Sequence, residues 1–438
     1  MKLVIIGSGF AGLQLARRLR NKQGFELTLI DKLNYHQFQP LFYQVATAGL
    51  DASNISFPLR KVFQHSENLH IRMAEVLEIV PSENKIITDT DTINYDTLVI
   101  ATGAETNFFG NARIAGSAFP MKSTSDALQI RHRLLQNFED ALEAVNVEEQ
   151  EKLMTIAIVG GGPTGVELSG AIAEMKRFIL PKDFPELDFN LMKIYLLESG
   201  GELLEHMSDT ASRKSLKYLQ DLGVTILLNT RLTDYDGQTV QLSTGQKIEA
   251  ATVIWAAGIK GNLPAGIDPT LVAKANRVKV DRYNRLIGVN NIYAIGDIAF
   301  METPKYPKSH PQVASVAIQQ AKLLAKNLQQ VQEHPDGPLK EFEYHDKGIM
   351  ATVGRNLAVV DLPRPKIHFG GFLAWLVWMS LHLMLILGVK NRLFVFTNWV
   401  YNYFTHDQSL RLIFKDTYKP KKQAGPDIPV VDKLPSTA

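Results

Sequence analysis

The chain contains two copies of one signal, a short apolar strand that ends in a glycine-rich turn. The first copy lies at residues 3–12 and the second at residues 155–165 of the 438-residue sequence. A further strand that ends in glycine follows each turn at nearly the same distance, at residues 98–103 and 253–258. This duplication predicts an α/β fold with two tandem Rossmann-like dinucleotide-binding domains.

The first turn has the spacing GxGxxG, with Gly7, Gly9 and Gly12 between a strand and a helix. Glycines there let the backbone approach a pyrophosphate, and the helix N-terminus supplies N–H donors. The next strand ends at Asp31, where a carboxylate can bind the ribose hydroxyls of an adenosine. The pattern predicts a dinucleotide site, and the alternative is a tight turn without a ligand.

The second turn repeats this spacing with Gly160, Gly162 and Gly165, and its next strand ends at Glu198. The intervening residues 178–190 contain two prolines and have the composition of an insertion. No arginine follows Glu198, so a 2′-phosphate would meet an uncompensated carboxylate. The second site is therefore expected to prefer NADH over NADPH.

Composition excludes several classes of protein. There are no cysteines, which rules out disulfides, a redox-active thiol pair and a cysteine-bound metal, and no metal site is expected. A net charge of +2 gives no reason to expect nucleic-acid binding. The apolar run near Met1 is too short for a signal peptide, so we expect the bulk of the protein to stay in the cytoplasm.

A third signal is the segment 290–297, a buried type of strand that ends in Gly-Asp and precedes a helix expected at about residues 312–330. The carboxylate of Asp297 could accept hydrogen bonds from ribityl hydroxyls. Its alternative is an ordinary turn or cap aspartate.

Taken together, the motifs GSGFAG, LVIATG, GGGPTGVELSG, VIWAAG and YAIGD resemble those of the type II NADH:quinone oxidoreductases, over roughly residues 1–415. The resemblance implies a two-dinucleotide-binding-domain flavoprotein that binds FAD in the first domain and NADH in the second. It also implies monotopic attachment to the cytoplasmic face of the cell membrane. The expected reaction passes electrons from NADH to a membrane quinone, ubiquinone or menaquinone, without proton pumping.

The resemblance also implies which residues contact the cofactors. The expected FAD contacts are Gly7, Gly9, Phe10, Ala11, Gly12, Asp31, Lys32, Val76, Ala101, Thr102, Gly103 and Asp297. The expected NADH contacts are Gly160, Gly162, Gly165, Glu198 and Gly258.

Four residues are expected to take part in the reaction. Glu167 resembles a family glutamate near the flavin–nicotinamide junction and could orient the nicotinamide or relay a proton; its alternative is a helix-start acid. The family's quinone pattern Ala-Gln-x-Ala-x-Gln is matched by residues 314–319, except that Ser315 replaces the first glutamine. Gln319 completes the pattern and Gln320 follows it. Both could instead be plain surface residues of a helix, and Gln312, one turn earlier, could substitute for the missing glutamine.

The resemblance divides the chain into four segments. Residues 1–112 and 261–341 are expected to form the FAD-binding domain, the second part carrying the quinone-site helix. Residues 113–260 are expected to form the NADH-binding domain. Residues 342–438 are expected to form a C-terminal region with membrane-anchoring helices and a disordered tail.

Two apolar stretches, residues 369–389 and 393–404, carry the membrane prediction. The first is long enough to span a bilayer, but the resemblance favours peripheral attachment, and the alternative is a core helix with a dimer contact. Aromatic residues expected at the lipid headgroups are Trp375, Trp378, Trp399, Tyr401 and Tyr403. Basic residues expected to attract anionic lipid are Arg411, Lys415, Lys419, Lys421 and Lys422.

Two other functions stay open from the sequence. A reductase of the same fold could pass electrons to a soluble electron-transfer protein, although the apolar C-terminal region argues against this. A non-catalytic membrane-associated protein could sense NADH through the same pockets. A homodimer formed through the C-terminal region is also left open.

Overall fold

The computed structural model describes residues 1–408 and 410–413. Its first segment contains three helices and ten strands, which alternate as expected for a dinucleotide-binding domain. They are β1 (Lys2–Ile6), α1 (Phe10–Leu19), β2 (Glu26–Asp31), β3 (Tyr35–Gln37), α2 (Phe42–Ala46), β4 (Ser56–Pro58), α3 (Leu59–Val62), β5 (Leu69–Met73), β6 (Val76–Val80), β7 (Lys85–Thr88), β8 (Thr92–Asn94), β9 (Thr97–Ile100) and β10 (Ala104–Thr106).

The second segment repeats the arrangement. Its elements are α4 (Ala112–Ser117), β11 (Phe119–Pro120), α5 (Thr124–Leu142), α6 (Val147–Met154), β12 (Ile156–Val159), α7 (Pro163–Phe178), α8 (Leu180–Asp183), β13 (Ile194–Leu197), α9 (Asp209–Asp221), β14 (Thr225–Leu227), β15 (Leu232–Tyr235), β16 (Thr239–Leu242), β17 (Lys247–Glu249), β18 (Thr252–Trp255) and β19 (Ile259–Gly261).

The third segment returns to the first sheet and then enters the C-terminal region. Its elements are β20 (Val272–Ala273), β21 (Arg277–Val280), β22 (Ile292–Ala294), β23 (Ala299–Met301), α10 (Ala314–Glu333), β24 (Ile349–Gly354), β25 (Leu357–Pro363), β26 (Lys366–Gly370), α11 (Phe372–Leu385) and α12 (Val389–Thr405).

Two five-stranded parallel sheets form the centre of the molecule. The first has the order β22-β9-β1-β2-β5 and the second the order β11-β18-β12-β13-β14, so equivalent strands take equivalent places. Strands β9, β12 and β18 are buried along their whole length, as expected where helices cover both faces of a parallel sheet. The prediction of two tandem Rossmann-like domains is confirmed.

The C-terminal region packs against the second domain through one close crossing. Helix α7 lies on strand β24, and a Cβ on Gly170 would come within 1.5 Å of the Val353 carbonyl oxygen. Because only a glycine fits at that point, the helix and the strand can run side by side at backbone distance. This contact fixes the face of α7 that looks towards the C-terminal helices.

Helices α11 and α12 leave a broad apolar surface uncovered. The large exposed side chains are Phe372, Leu373, Leu376, Val377, Leu381, Met384 and Leu385 on α11, and Val389, Leu393, Phe394, Phe396, Val400, Tyr401 and Phe404 on α12. Among the described residues no helix has both the length and the apolarity needed to cross a bilayer. The apolar stretch of residues 369–389 is divided, since α11 accounts for only fourteen of its residues.

Two of the five expected headgroup aromatics are placed differently. Trp378 is 1% exposed and Trp399 is 8% exposed, so both are core residues. Helical periodicity explains this, because each lies on the inward face of its helix. Arg411 pairs with Asp183 and Asp407 and is not free to meet lipid. Lys415, Lys419, Lys421 and Lys422 lie outside the described residues.

Candidate active site

The first glycine turn is shaped by contacts that a side chain would prevent. A Cβ on Gly7, whose φ is +99°, would lie 2.4 Å from the Ala101 carbonyl oxygen. A Cβ on Gly12 would lie 1.8 Å from the Gly7 carbonyl oxygen. Gly9, between them, has nothing within 4 Å, so its surface is open towards a ligand. The first and third glycines close the turn, and the middle one leaves room beside the N-terminus of α1.

Asp31 ties the end of β2 to this turn. One of its carboxylate oxygens accepts hydrogen bonds from the Ser8 backbone N–H (2.6 Å) and from the Ser8 hydroxyl (2.7 Å). Its other oxygen accepts from the Leu33 N–H (2.8 Å). The exposed Lys32 follows directly, and the N–H of Ala74 donates to the Asp31 carbonyl, which brings the start of β6 at Val76 close to the same edge. Asp31 is thus held at the edge where an adenosine ribose would lie.

Polar groups without protein partners fit a flavin dinucleotide at this site. The hydroxyl of Thr102, next to the Gly7 turn, is buried and has no hydrogen-bond partner among the described residues. Within the same described part of the chain, the carboxylate of Asp297 accepts no hydrogen bond. Burial raises the pKa of Asp297, while Lys122 and Arg277 oppose that change. Both groups are suited to hydroxyls of a bound FAD, as the residue pattern predicts.

The remaining predicted FAD contacts lie around this turn. Gly296, next to Asp297, packs against Ala11, since a Cβ there would lie 3.3 Å from the Ala11 Cβ. Phe10 stands edge-on to His36, whose Nδ1 is 2.8 Å from the Ser8 carbonyl oxygen. Gly103 ends the β9 turn with a φ of +68°. No sequence pattern marks His36, a buried side chain that supports the turn through its contact with the Ser8 carbonyl.

The second turn repeats this geometry. Gly160 has a φ of +111°, a Cβ on Gly165 would lie 1.9 Å from the Gly160 carbonyl oxygen, and Gly162 has nothing within 4 Å. Glu198 accepts a hydrogen bond from the Gly161 N–H (2.6 Å) through one oxygen and from the Gly200 N–H (2.5 Å) through the other. The residues therefore fit a second dinucleotide, with Glu198 where Asp31 stands in the first site.

Gly258 closes the second site and has an aromatic neighbour that sequence reasoning did not find. A Cβ on Gly258 would lie 2.6 Å from the ring of Phe109, and Gly258 itself has a φ of +72°. Phe109 is 68% exposed and has a left-handed backbone, with a φ of 52°. No pattern in the sequence marks Phe109, because its position depends on the approach of two loops that are about 150 residues apart in the chain.

A pocket opens between α2, α7, the β24–β25 turn, α11 and α12. It has an empty volume of about 680 Å³, which includes space open to solvent. Side chains from all five elements line it, and those used below are Tyr43, Gln44, Glu167, Ala171, Glu174, Thr352, Arg355, Trp399 and Asn402. The wall combines aromatic rings with a few amide and carboxyl groups, as is usual in small-molecule sites.

Glu167 is enclosed by protein and keeps part of its surface towards this pocket. The Thr352 N–H donates to its carboxylate at 3.4 Å. Burial raises the pKa of Glu167 to about 8, and the Thr352 amide and the Trp378 indole act in the opposite direction. The carboxyl therefore keeps its proton to a higher pH than a helix-start acid exposed to water would.

Tyr43 faces Glu167 from α2. It is buried, and the loss of water contact raises its pKa well above the usual range, with the charge of Glu167 adding to the effect. The Gln44 amide donates to the Tyr43 hydroxyl at 2.8 Å and accepts from the Trp399 indole at 2.7 Å. Nothing in the sequence marks Tyr43 and Gln44, and Trp399 was expected at the lipid headgroups instead, since Gln44 and Trp399 are 355 positions apart in the chain.

The residues expected to meet the quinone have protein partners in this structure and do not line the pocket. The Ser315 hydroxyl lies 2.8 Å from the Tyr344 hydroxyl. The Gln319 amide bonds both ways to the backbone of His345. Gln320 is 1% exposed and accepts from the Gly296 N–H, beside Asp297. Gln312 lies before α10, which begins at Ala314, and donates to the Asp297 carbonyl.

Known proteins resemble the chain over nearly its whole length. The family model "Pyridine nucleotide-disulphide oxidoreductase" matches residues 1–321, and the model "NDH2 C-terminal domain" matches residues 346–406. NDH2 from Plasmodium falciparum, solved in complex with NADH, superposes with a TM-score of 0.87 over 94% of this chain and 99% of that chain. At 23% sequence identity this likeness shows the fold.

Curated relatives are more specific. The type II NADH:quinone oxidoreductase Ndh of Mycobacterium tuberculosis is 35% identical over 415 residues, which cover 91% of this chain and 87% of the relative. The type II NADH:quinone oxidoreductase of Haemophilus influenzae is 29% identical, over 82% of this chain and 86% of the relative. These relatives favour neither a reductase of a soluble protein nor an NADH sensor. The chain belongs to the pyridine nucleotide-disulphide oxidoreductases and, within them, to the type II NADH:quinone oxidoreductases.

Proposed function

We propose that the chain oxidises NADH held at the second turn and reduces a membrane quinone, with FAD held at the first turn between them. When bound, the flavin accepts the hydride of NADH and passes two electrons to the quinone. The two turns hold the dinucleotides through their open glycines and through Asp31 and Glu198. The observation that carries the proposal is the pocket lined by Glu167, a carboxyl on the helix that begins at the NADH turn.

The pocket is proposed as the place where the quinone head group lies. Its wall offers an aromatic surface from Trp399 and hydrogen-bonding groups from Tyr43 and Gln44, which suit a flat ring with two carbonyl oxygens. Ser315, Gln319 and Gln320 stay predictions as quinone contacts. Contact with Gln319 requires that its amide leave the His345 backbone.

Glu167 supplies the proton that the reaction needs. Reduction of a quinone to a quinol takes two electrons and two protons, and the hydride of NADH brings both electrons and one proton. The second proton must come from water through the protein. A carboxyl with a pKa of about 8 holds a proton at neutral pH and can release it to a quinone oxygen.

The experiment is anaerobic stopped-flow spectroscopy on the detergent-purified flavoprotein. NADH is expected to bleach the flavin, and a soluble quinone analogue is expected to restore its absorbance with rapid turnover. In Glu167→Gln, bleaching should keep its rate, while reoxidation by quinone should slow by about 100-fold near neutral pH, since a proton donor is lost. Reoxidation that is equally fast in Glu167→Gln would show that the carboxyl has no part in the step.

We further propose that the exposed surface of α11 and α12 lies in the cytoplasmic face of a membrane. The patch is apolar and extends over two helices that also line the pocket. A quinone dissolved in the lipid would therefore have a short path into the pocket. The test is sedimentation with phosphatidylcholine vesicles. Leu393→Glu with Phe394→Glu should abolish binding to vesicles and leave NADH-dependent bleaching unchanged. If the wild-type protein is a dimer and does not sediment with the vesicles, the patch would be a homodimer interface and not a membrane surface.

A further inference from the structure

Helix α7 carries a second carboxyl on the same face as Glu167. Glu174 lies two helical turns further along, and both side chains line the pocket. Seven residues of an α-helix rise by about 10 Å, and three residues of a strand span about the same length. The backbone of β24 and its turn follows this spacing, because the Thr352 N–H donates to Glu167 and the Arg355 N–H donates to Glu174.

The space between the two carboxyls is kept open by a small side chain. Ala171 lies on the same face of α7 between them and lines the pocket, and Gly354 lies beside the Glu174 carboxyl. Gly170, one position earlier, fixes the distance to β24 through its contact with Val353. A larger residue at position 171 would fill the space, so the present sequence leaves room for water along the wall.

Glu174 lies at the end of the pocket where charged and titratable groups reach the surface. The groups that face it are Glu167 on its own helix, Tyr43 on α2, Arg355 on the β24–β25 turn and, beyond Arg355, His406 after α12. The Arg355 guanidinium donates to the last carbonyls of α12, those of Asn402 and Tyr403, and both Arg355 and His406 are partly exposed.

From this arrangement we propose that Glu174 is the relay residue that returns a proton to Glu167 after each turnover. The inference rests on the proposed function. In each cycle Glu167 gives its proton to a quinone oxygen, water beside Ala171 carries a proton from Glu174 to the Glu167 carboxylate, and Glu174 takes up a proton from solvent. The sum is NADH, one proton and quinone converted to NAD⁺ and quinol, so the protons balance.

Burial supports this role. It raises the pKa of Glu174, which the Arg355 N–H and the Arg355 charge oppose. A carboxyl in this position can exchange a proton more readily near neutral pH than an exposed glutamate. Glu174 acts through Glu167 and not on the quinone.

The test compares three variants with the wild type by stopped-flow spectroscopy between about pH 6 and about pH 9. Glu174→Gln keeps an acceptor for the Arg355 N–H, so the β24–β25 turn stays held. Ala171→Val keeps both carboxyls and fills the space between them. Glu186→Gln is the matched control, an exposed glutamate outside the pocket. Flavin content and thermal midpoint check that each variant folds.

Glu174→Gln should be reduced by NADH at the wild-type rate, and its quinone KM should change less than its rate of reoxidation. Its reoxidation should slow about tenfold above pH 8 and much less at low pH, where solvent supplies protons directly. The solvent isotope effect should rise, formate should restore part of the rate, and Glu174→Asp should be intermediate. Ala171→Val should show the same pH-dependent slowing.

The relay is overturned if Glu174→Gln matches Glu186→Gln at every pH. It is also overturned if the slowing is equal at all pH values and insensitive to formate, because a purely structural contact behaves in that way. A rise of quinone KM alone in Ala171→Val contradicts it as well. Failure of quinone to reoxidise the wild-type flavin would instead overturn the proposed function itself.

Discussion

The two glycine turns are nearly the same structure built twice. In each, the acid at the end of the second strand accepts one N–H from the residue after the first glycine, Ser8 or Gly161. In each, its other oxygen accepts an N–H two residues further along the chain, from Leu33 or Gly200. The shared hydrogen bonds show that GxGxxG and a strand-end acid specify one local geometry whichever dinucleotide is bound.

The helices that follow the turns are different. The position of Glu167 in α7 is taken by Gln14 in α1, and α1 ends at Leu19 after ten residues while α7 runs for sixteen. Ala171 is equivalent to Arg18 of α1, whereas Glu174 lies in the additional length of α7, and both line the pocket. The two copies therefore keep one turn and differ in the helix that follows it, which in the second copy carries the two carboxyls that we propose move protons.

The largest effect is expected from alanine at the middle glycine of each turn, because each substitution should affect a different cofactor. Gly9 and Gly162 have ordinary negative φ angles and nothing within 4 Å, so alanine there strains nothing in the protein alone. Gly9→Ala should lose FAD and with it nearly all activity. Gly162→Ala should keep its flavin and raise the KM for NADH at least about tenfold. Flavin absorbance per chain and steady-state kinetics distinguish them, and loss of flavin in both would contradict the assignment.

A smaller effect is expected at the acids. Hydrogen bonds to a charged group contribute about 1.5–3 kcal/mol, and an amide presents a donor where Asp31 and Glu198 present only acceptors. Asp31→Asn should therefore weaken FAD binding by roughly 10- to 100-fold. Glu198→Gln should instead raise the ratio of kcat/KM for NADPH to that for NADH, since a repulsive charge is removed. The assignment of different cofactors to the two acids would be contradicted if Asp31→Asn changed the NADPH to NADH ratio as much as Glu198→Gln does.

Glu167→Gln gives the second domain the glutamine that the first domain has at the equivalent position, Gln14. Its effect on thermal stability should depend on pH. The folded pKa of Glu167 is about 8, above its unfolded value, so the unfolded chain releases this proton first as pH rises. The contribution of Glu167 to stability is complete at low pH and is lost as pH rises towards about 8. The glutamine variant should not lose this stability. The difference in thermal midpoint, variant minus wild type, should therefore increase by a few degrees between about pH 5 and about pH 8.

Calorimetry at matched ionic strength measures this shift. Glu186→Gln serves as the control, because an exposed glutamate should leave the difference constant with pH. A constant difference for Glu167→Gln would mean that its carboxyl is ionised in the folded protein.

The smallest expected effect concerns Ser8, whose hydroxyl donates to Asp31. Gly161 is the equivalent residue of the second turn, and it has only its backbone N–H to donate to Glu198. Ser8→Gly keeps the backbone N–H bond and loses about 1 kcal/mol, so FAD affinity should fall about fivefold. Titration of the apoprotein with FAD measures this. The reverse change, Gly161→Ser, should be worse, because its Cβ would lie 2.7 Å from a Leu203 methyl.

Much of the fold was predictable because the relevant signals are local. Two strand–turn–helix units, their glycines and their strand-end acids are each contained within about forty residues, and a parallel sheet needs little else to form. The prediction that Trp378 and Trp399 lie at lipid headgroups was wrong, since hydropathy shows that a helix is apolar and not which face turns inward.

The sequence by itself determined the duplication, the family and the residues that shape both turns. Only the tertiary structure decided the pocket, because Tyr43, Glu167, Thr352 and Trp399 come from four distant segments. It also decided that the pKa of Glu167 is raised, since the pKa of a carboxyl depends on the groups that exclude water from it. Helical periodicity could have predicted that Glu174 and Glu167 lie on the same face of α7. It could not have shown that both side chains line one pocket.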